Sequence, residues 1–522
     1  MFFRAEKLCG NAEGSPQIVR TRKRSSALPR LRLLQSSAKL LRVETKEIIK
    51  VGVLLFLYFI VPPLLGFLLR GKRWLQRIAF FGMCFMTISG LFSATDWGLT
   101  LGFQPEYRGH ARGFHFYFNE IFALGLILAA ALETKSKFAL MPPGLCLYLL
   151  FCVLSLASIF SAPSTMFVGM AAFKAFKAAL IFIAAYNFIR VEKDIHFFLK
   201  TMCITILWQF IIVVKMKYLD GRHQIMGTFE HQNALSMYVN LIAMVFLAAG
   251  AGAKRIWANV YLFAFLASAV IVVFTLSRAG FVIFAFGTVV VMVLSLIDKF
   301  SRRRAAVVSV LAVCGVVGLA MTMDSIIERF NDPYTYDSKQ TRIMLKQASV
   351  KMFSDYPLGI GWNNYGLTIN HPYRYGDHID EYFRMHGDIV DPDVAKGIEE
   401  SLYYLLLAET GFQGLVSFLA LIALFLWWNL RAAWHFRHQF LGAVSIGIAT
   451  GCGVNYIQSL VERVLTQPRN MMLWLLLLAL TAKIESWRRQ NVKQKRLEKI
   501  EARRFSENNR VEHRTLIHST VK

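Results

Sequence analysis

Apolar runs of about twenty residues recur along this chain, and each is long enough to cross a lipid bilayer as a helix. A chain that is 55% hydrophobic with a mean hydropathy of +0.44 is too apolar for a series of soluble domains. The sequence therefore predicts an all-α polytopic membrane protein. The twelve predicted spans are 75–93, 114–133, 139–160, 166–189, 195–216, 234–250, 257–275, 280–297, 304–322, 407–430, 440–460 and 470–482.

One further apolar segment, 51–69, does not fit the alternation of the other spans. If it crossed the membrane once, the basic N-terminus would lie outside, because the segment RGKRW at 70–74 is typical of a cytoplasmic connector. A shallow hairpin bent at Pro62 and Pro63 would keep both flanks inside, since prolines interrupt helical hydrogen bonding. A thirteenth span is the alternative.

The net charge of +26 raises the question of nucleic acid, but the basic residues lie mainly in the two tails and in connectors such as 298–304. The positive-inside rule explains this placement as cytoplasmic ends that face anionic lipid. We therefore expect membrane lipids as partners and no nucleic acid. With 298–304 inside, the connectors 217–233, 276–279 and 323–400 face outward.

The predicted domain order follows from these spans. Two parts of a transmembrane bundle, 48–322 and 401–483, flank a long periplasmic loop at 323–400, and basic cytoplasmic tails occupy 1–47 and 484–522. Loops this long usually fold or carry function. A helical pattern of Ile343, Leu345 and Val350, followed by a turn region and a second helical segment, predicts a helical cap.

A dense polar cluster, MGTFEHQN, stands at the outer end of the span 234–250. One interpretation makes Asn233 the cap of that helix, which would satisfy its free backbone N–H groups. That interpretation does not explain Glu230 and His231, nor Asn240 two turns further along the same face. A polar face that continues into a span indicates a cavity, because polar groups in hydrocarbon are costly.

Cations are predicted at the same outer face. Arg222 precedes the polar cluster and Arg278 lies in the next outer connector, where arginines at the level of the lipid headgroups are common. Two guanidinium groups also suit a diphosphate, which they bind through paired charge-assisted hydrogen bonds. Lys174 and Lys177 lie inside a span and are further candidates for binding an anion, with partial exposure at the end of a slanted helix as the alternative.

No metal site is expected. The loop histidines His371, His378 and His386 lack the spacing of a helical pair of ligands, and none of the seven cysteines lies in a predicted outer loop. The carboxylates Glu399 and Glu400 precede the last outer helix. They fit the helix dipole there, and one of them is a candidate general base.

Four motifs in this order resemble the bacterial O-antigen ligase and O-antigen polymerase family. They are GTFEHQN at 227–233, SRAG at 277–280, QTR at 340–342 leading to DYPLGIGWNNYG at 355–366, and ESLYYLLLAETGFQG at 400–414. The resemblance extends over roughly residues 160–430. It implies a membrane glycosyltransferase that takes a glycan from undecaprenyl diphosphate at the periplasmic face, without a metal ion, another cofactor or a nucleotide sugar.

The resemblance also implies roles for residues. Arginines near the first motifs of family ligases hold the lipid diphosphate, which here implies Arg222 and Arg278, and we add Arg342 of the QTR motif. Family ligases carry a His-Asn pair, whose histidine activates the acceptor hydroxyl, where this chain has Glu400 and Ser401. Glu400 is therefore the predicted base, with His231 as the other candidate. Residues predicted to line the glycan cavity are Glu230, Asn233 and Tyr403.

The predicted function is an inverting, metal-independent glycosyltransferase in the bacterial inner membrane, with its site facing the periplasm. The glutamate in place of the histidine favours a surface polysaccharide polymerase. A ligase that transfers to lipid A-core, transfer to protein, and a flippase of lipid-linked glycan are the alternatives. The predicted partners are an undecaprenyl-diphosphate-linked oligosaccharide, an acceptor glycan or lipid A-core, and a chain-length regulator.

Overall fold

The computed structural model describes residues 47–88, 98–133, 138–253, 255–298, 334–387 and 396–520. The chain divides into two units, residues 1–52 and 53–522. Of the first unit, residues 47–52 are described, and they are helical. The following paragraphs concern the second unit, apart from the helix that begins at Glu47.

Helices account for most of the described chain. In chain order they are α1 Glu47–Leu69, α2 Arg73–Phe85, α3 Phe118–Leu132, α4 Leu145–Leu156, α5 Thr165–Phe188, α6 Glu192–Tyr218, α7 Gln232–Gly252, α8 Arg255–Thr275, α9 Arg278–Asp298, α10 Tyr334–Asp355, α11 Tyr365–Thr368, α12 Asp377–Met385, α13 Leu402–His435, α14 Phe440–Gln458 and α15 Pro468–Thr520. Eight of these described helices are long and apolar enough to cross a membrane, namely α1, α5 to α9, α13 and α14.

Most of the predicted spans coincide with helices, which confirms the helical membrane character but not the count of twelve. The helices α3 and α4 are apolar but shorter than a full span. The predicted span 304–322 lies outside the described residues. The all-α prediction is also incomplete, because strand β1 Gly98–Leu101 pairs antiparallel with β2 Phe114–Tyr117. The predicted span 114–133 therefore becomes helical only at Phe118.

The hairpin predicted at Pro62 and Pro63 is wrong, because α1 continues through both prolines and is a candidate span. A π-helical turn at Phe56–Ile60 precedes them, and the prolines occupy the first turn of the α-helical segment Val61–Leu69. Proline is tolerated in a first turn, where its missing N–H has no intrahelical partner to lose.

The centre of the bundle is α7. Every side chain from Ala234 to Gly250 is buried, and α7 packs against α8, α9 and α14. A helix that is apolar on all sides belongs in such a position, surrounded by other helices. The polar residues at its N-terminus therefore lie at one end of the core rather than at the periphery.

The long loop contains α10, α11 and α12, as the predicted helical cap requires. The buried face of α10 differs from the predicted one, however. Met344, Leu345, Ala348 and Met352 are buried, whereas Ile343 and Val350 are exposed. Three-residue apolar patterns do not determine which of two adjacent faces a helix buries.

The two ends of the bundle differ in their polar contacts. At one end, Arg73 binds Asp194 at 2.6 Å, which joins the start of α2 to the start of α6. Arg190 binds Glu133 at 2.6 Å, which joins the connector between α5 and α6 to the end of α3. The helix α6 runs from this end of the bundle to the other, so α7, which follows it, starts at the other end. At that other end, Leu402 N–H donates to Ser459 C=O at 3.0 Å, so the start of α13 meets the end of α14.

Candidate active site

Four polar side chains from distant parts of the sequence meet at the α7 end of the bundle. Arg342 Nε lies 2.5 Å from Glu400 Oε2, and another nitrogen of its guanidinium lies 3.8 Å from Glu462 Oε1. The Asn233 amide donates to the same Glu462 oxygen at 2.6 Å. We call Asn233, Arg342, Glu400 and Glu462 the carboxylate–arginine cluster.

Three members of the cluster stand at or near a helix end, and Arg342 lies within α10. Asn233 is in the first turn of α7, and Arg342 is on α10 in the cap. Glu400 comes immediately before Ser401, which caps α13. Glu462 lies in the connector between α14 and a single 3₁₀ turn, Val464–Thr466.

Burial raises the pKa of two carboxyl groups at this end of the bundle. It raises the pKa of the Glu462 carboxyl to about 7, and the neighbouring charge of Glu400 acts in the same direction. Burial also raises the pKa of Glu399 to about 7, although its carboxylate accepts from Ser401 N–H at 2.7 Å. The next residue, Arg463, is attracted by Glu400 and Glu462, so the connector contributes both a carboxyl and a cation.

Arg278 stands at the start of α9, beside the cluster end of α7. Gly280, two residues later, approaches α7 so closely that a Cβ there would overlap the Ser236 hydroxyl. Asn240 donates to Gly280 C=O at 3.2 Å and contacts Gln458 at 3.4 Å. The SRAG glycine therefore brings the N-terminus of α9, and Arg278 with it, against the polar face of α7.

The GTFEHQN segment is arranged differently from the helix cap considered above. The N-cap is His231, whose Nδ1 accepts from Asn233 N–H at 3.2 Å. The interpretation of Asn233 as the cap is therefore wrong, and its side chain is free to reach Glu462. Arg222 and Glu230 are exposed, and the structure does not place them in the cluster.

Tyr403 is half-buried and donates to Tyr456 C=O at 2.8 Å, so it ties α13 to α14. Of the predicted site residues, the structure thus brings together Asn233, Arg342 and Glu400. The roles predicted for the individual site residues stay predictions, because geometry alone does not test them.

A second buried polar group lies next to this site. Lys174 donates to His110 Nδ1 at 2.8 Å, and His110 Nε2 lies 3.2 Å from Glu409 Oε2. Burial lowers the pKa of His110, and the charge of Lys174 adds to that effect. A neutral imidazole whose Nε2 carries the hydrogen fits both partners. Beside it lies a small cavity of about 40 Å³, which Trp362 and other aromatic side chains line.

Glycines in the last two motifs allow the backbone of the cap to approach the backbone of α13 closely. α13 is broken at Gly411, whose φ of 68° and ψ of −170° only glycine adopts readily. The loop segment 357–361 packs into this break: Ile360 N–H donates to Ala408 C=O at 2.9 Å, and Phe412 N–H donates to Pro357 C=O at 3.2 Å. A Cβ on Gly359 would overlap the Glu409 carbonyl.

The two asparagines of the same motif each hold a separate chain segment. The Asn363 amide accepts from Ala111 N–H at 3.1 Å and donates to Ala111 C=O at 2.8 Å. The Asn364 amide forms the same kind of pair with Ser164, at 2.9 and 3.1 Å. These contacts hold the loop that carries His110 and the start of α5 against the cap.

The described residues contain no group of three His, Cys, Asp or Glu side chains that could hold a metal ion. His378 Nε2 lies 3.0 Å from Met344 C=O, and His386 contacts a carbonyl of its own helix. His378 and His386 accordingly have structural contacts in the cap.

Sequence reasoning missed Glu462, Arg463 and His110. The motif VERVLTQPR at 461–469 carried a usable signal, because charged residues at a short connector between two apolar runs face the same end as the other outer connectors. His110 gave no such signal. Its role depends on a contact with Glu409, 299 residues away.

Comparison with known proteins agrees with the motif reading. A search of curated proteins finds no match. The model of the O-antigen ligase family (Wzy_C) matches residues 263–391. The matched segment includes Arg278 and Arg342 and ends before Glu400. The resemblance to the O-antigen ligase and polymerase family is therefore confirmed by this match over residues 263–391.

Proposed function

We propose that this protein transfers a glycan from undecaprenyl diphosphate to an acceptor sugar and thereby polymerises a surface polysaccharide. The observation that carries the proposal is the carboxylate–arginine cluster. It joins the GTFEHQN, QTR and ESLYY motifs at one end of the bundle, the end at which Arg278 of the SRAG motif also stands. The site would face the periplasm from the inner membrane.

The chemistry needs two kinds of group. Breaking the bond between the anomeric carbon and the diphosphate places negative charge on the leaving phosphate, which fixed guanidinium groups stabilise in a water-poor site. Arg278, with Arg222 approaching from the exposed connector, would hold this diphosphate. On the other side, a carboxylate of the cluster would take the proton of the attacking hydroxyl, so that attack proceeds with inversion.

A polymerase rather than a ligase is favoured by Glu400, which stands where family ligases have histidine. Arg342 is shared between two carboxylates. This arrangement argues that it orients the base side of the site rather than binding the diphosphate.

Transport of the lipid-linked glycan is a weaker proposal. In the described part of the bundle, the cations within α5 are held by partners: Lys174 by His110, and Lys177 by Glu120 at 2.7 Å. The core helix α7 is apolar beyond Asn240. These features argue against a cationic path along the bundle and favour a site at one end.

The first test is reconstitution of the purified protein with an undecaprenyl-diphosphate-linked repeat unit. We expect chain growth without any other protein. Transfer only after addition of lipid A-core or of a protein acceptor would instead identify a ligase or a protein glycosyltransferase.

Arg278→Ala should lower the rate by about 100-fold or more, as loss of one donor to a developing charge does. Arg70→Ala, an exposed arginine in the connector before α2, is the matched control and should leave the rate unchanged.

A further inference from the structure

Glu462 occupies a place in the cluster that no family motif assigns. It lies outside the segment that matches the family model, in the short connector between α14 and α15. Its carboxyl nevertheless touches the GTFEHQN segment through Asn233 and the QTR segment through Arg342. It is therefore a central member of the cluster in space, although it is remote in sequence.

The two carboxylates of the cluster are held very differently. Glu400 Oε2 lies 2.5 Å from Arg342 Nε, so the guanidinium occupies one side of this carboxylate. Glu462 lies 3.8 Å from the same guanidinium and is much more buried than Glu400. Of the two, Glu462 is better suited to accept a proton.

The surroundings of Glu462 also orient it. The Asn233 amide holds Oε1 at 2.6 Å, and among the described residues the polar contacts of this carboxyl are made by Oε1. The second oxygen, Oε2, is left for a ligand. The charged groups that face the carboxyl are Arg342 from the cap, Glu400 before α13 and Arg463 in its own connector.

We propose that Glu462, rather than Glu400, is the general base of the transfer, and that Glu400 positions Arg342 beside it. This inference rests on the proposed function. The acceptor hydroxyl oxygen bonds to the anomeric carbon, and the carbon–oxygen bond to the diphosphate breaks with its electron pair leaving on the phosphate. The hydroxyl proton passes to Glu462 Oε2 and is later released to water.

The pH dependence of the rate distinguishes the two carboxylates. With Glu462 as the base, kcat rises with pH as this carboxyl ionises and levels off above about pH 7, the pKa to which burial raises it. Glu462→Gln preserves size and the acceptor for Asn233. It should lower kcat by about 100-fold or more and abolish this rise.

Glu400→Gln is the matched variant. It should lower kcat by only about tenfold and keep the rise, because the base is intact. The rise should move to lower pH, since Glu462 loses a neighbouring negative charge and gains the undivided attraction of Arg342. His231→Gln should also keep the rise. Glu462→Asp, which restores a carboxyl at a shorter reach, should recover part of the lost rate.

These measurements distinguish a wrong assignment of the base from a wrong proposed function. If Glu462→Gln keeps the rise near pH 7, or if Glu400→Gln or His231→Gln abolishes it, Glu462 is not the base, although the proposed function stands. If the wild-type protein transfers no glycan at all, the proposed function fails, and this inference fails with it. Thermal unfolding in detergent shows whether each variant is folded, which separates a lost base from a lost structure.

Discussion

Lys174 contacts His110, and His110 contacts Glu409, so two opposite charges lie inside the protein with an imidazole between them. Buried pairs of this kind contribute little net stability while both partners are present, because desolvation offsets their attraction. Removing one partner is costly, since the other charge then lies buried and uncompensated. The three side chains are at most 9% exposed, so this reasoning applies to them.

At the residue scale we therefore expect Lys174→Met to destabilise the folded protein by about 3–5 kcal/mol. The double variant Lys174→Met, Glu409→Gln removes both charges and should be more stable than the single variant. Thermal or denaturant unfolding in detergent measures both. A double variant that is no more stable than Lys174→Met would show that Glu409 is not the charge that Lys174 compensates.

At the element scale, the break in α13 at Gly411 accommodates the loop segment 357–361. Gly411→Ala should detach that segment, because alanine does not readily adopt the required φ and its Cβ would overlap the Leu358 backbone. We expect faster hydrogen exchange at the Ile360 and Gly361 amides. Both amides donate to carbonyls of α13 in the folded protein, at 2.9 and 3.1 Å.

The matched control for this prediction is Gly397→Ala. A Cβ at Gly397 meets no atom within 4 Å, so this substitution should leave the exchange of both amides unchanged. Slow exchange in Gly411→Ala would show that the segment binds α13 without the break.

Some elements could be predicted from the sequence because their signals are local. The apolar runs give α5 to α9 within a few residues, and the second helical segment predicted after the turn region corresponds to the start of α13. The course of α1 through Pro62 and Pro63 could not be predicted, because a π-helical turn accommodates the prolines. The buried face of α10 depends on tertiary packing that no local pattern encodes.

The residues of the site divide in the same way, into those with a local sequence signal and those that depend on tertiary contacts. Asn233, Arg342 and Glu400 lie in motifs with recognisable composition, and the structure brings them together. Glu462 was missed because its significance comes from a partner 229 residues earlier. Gly359, Asn363 and Gly411 also lie in the motifs, and the structure gives them contacts that hold the cap to the bundle.

At the scale of the whole molecule, the two ends of the bundle should lie on opposite sides of the membrane. Arg222 follows the C-terminal end of α6, and the connector at Lys72 lies beside its N-terminal end through the contact of Arg73 with Asp194. Both Lys72 and Arg222 are exposed. In a background without the seven native cysteines, a membrane-impermeant maleimide should label Arg222→Cys from the periplasm and should not label Lys72→Cys.

Labelling of both positions after the membrane is opened is the control for this experiment. The reverse pattern in intact cells, with Lys72→Cys labelled and Arg222→Cys protected, would place the cluster on the cytoplasmic side. It would also overturn the periplasmic site that we propose.

The contact of Asn233 with Glu462 has a consequence for how the enzyme is made. A ribosome that adds 5–20 residues each second needs roughly 10–45 s to translate the chain between these two positions. During that time the segment that contains Asn233 has already been synthesised, whereas the proposed base has not. A stalled or truncated chain therefore lacks one member of the carboxylate–arginine cluster, and on the proposed mechanism it would transfer no glycan.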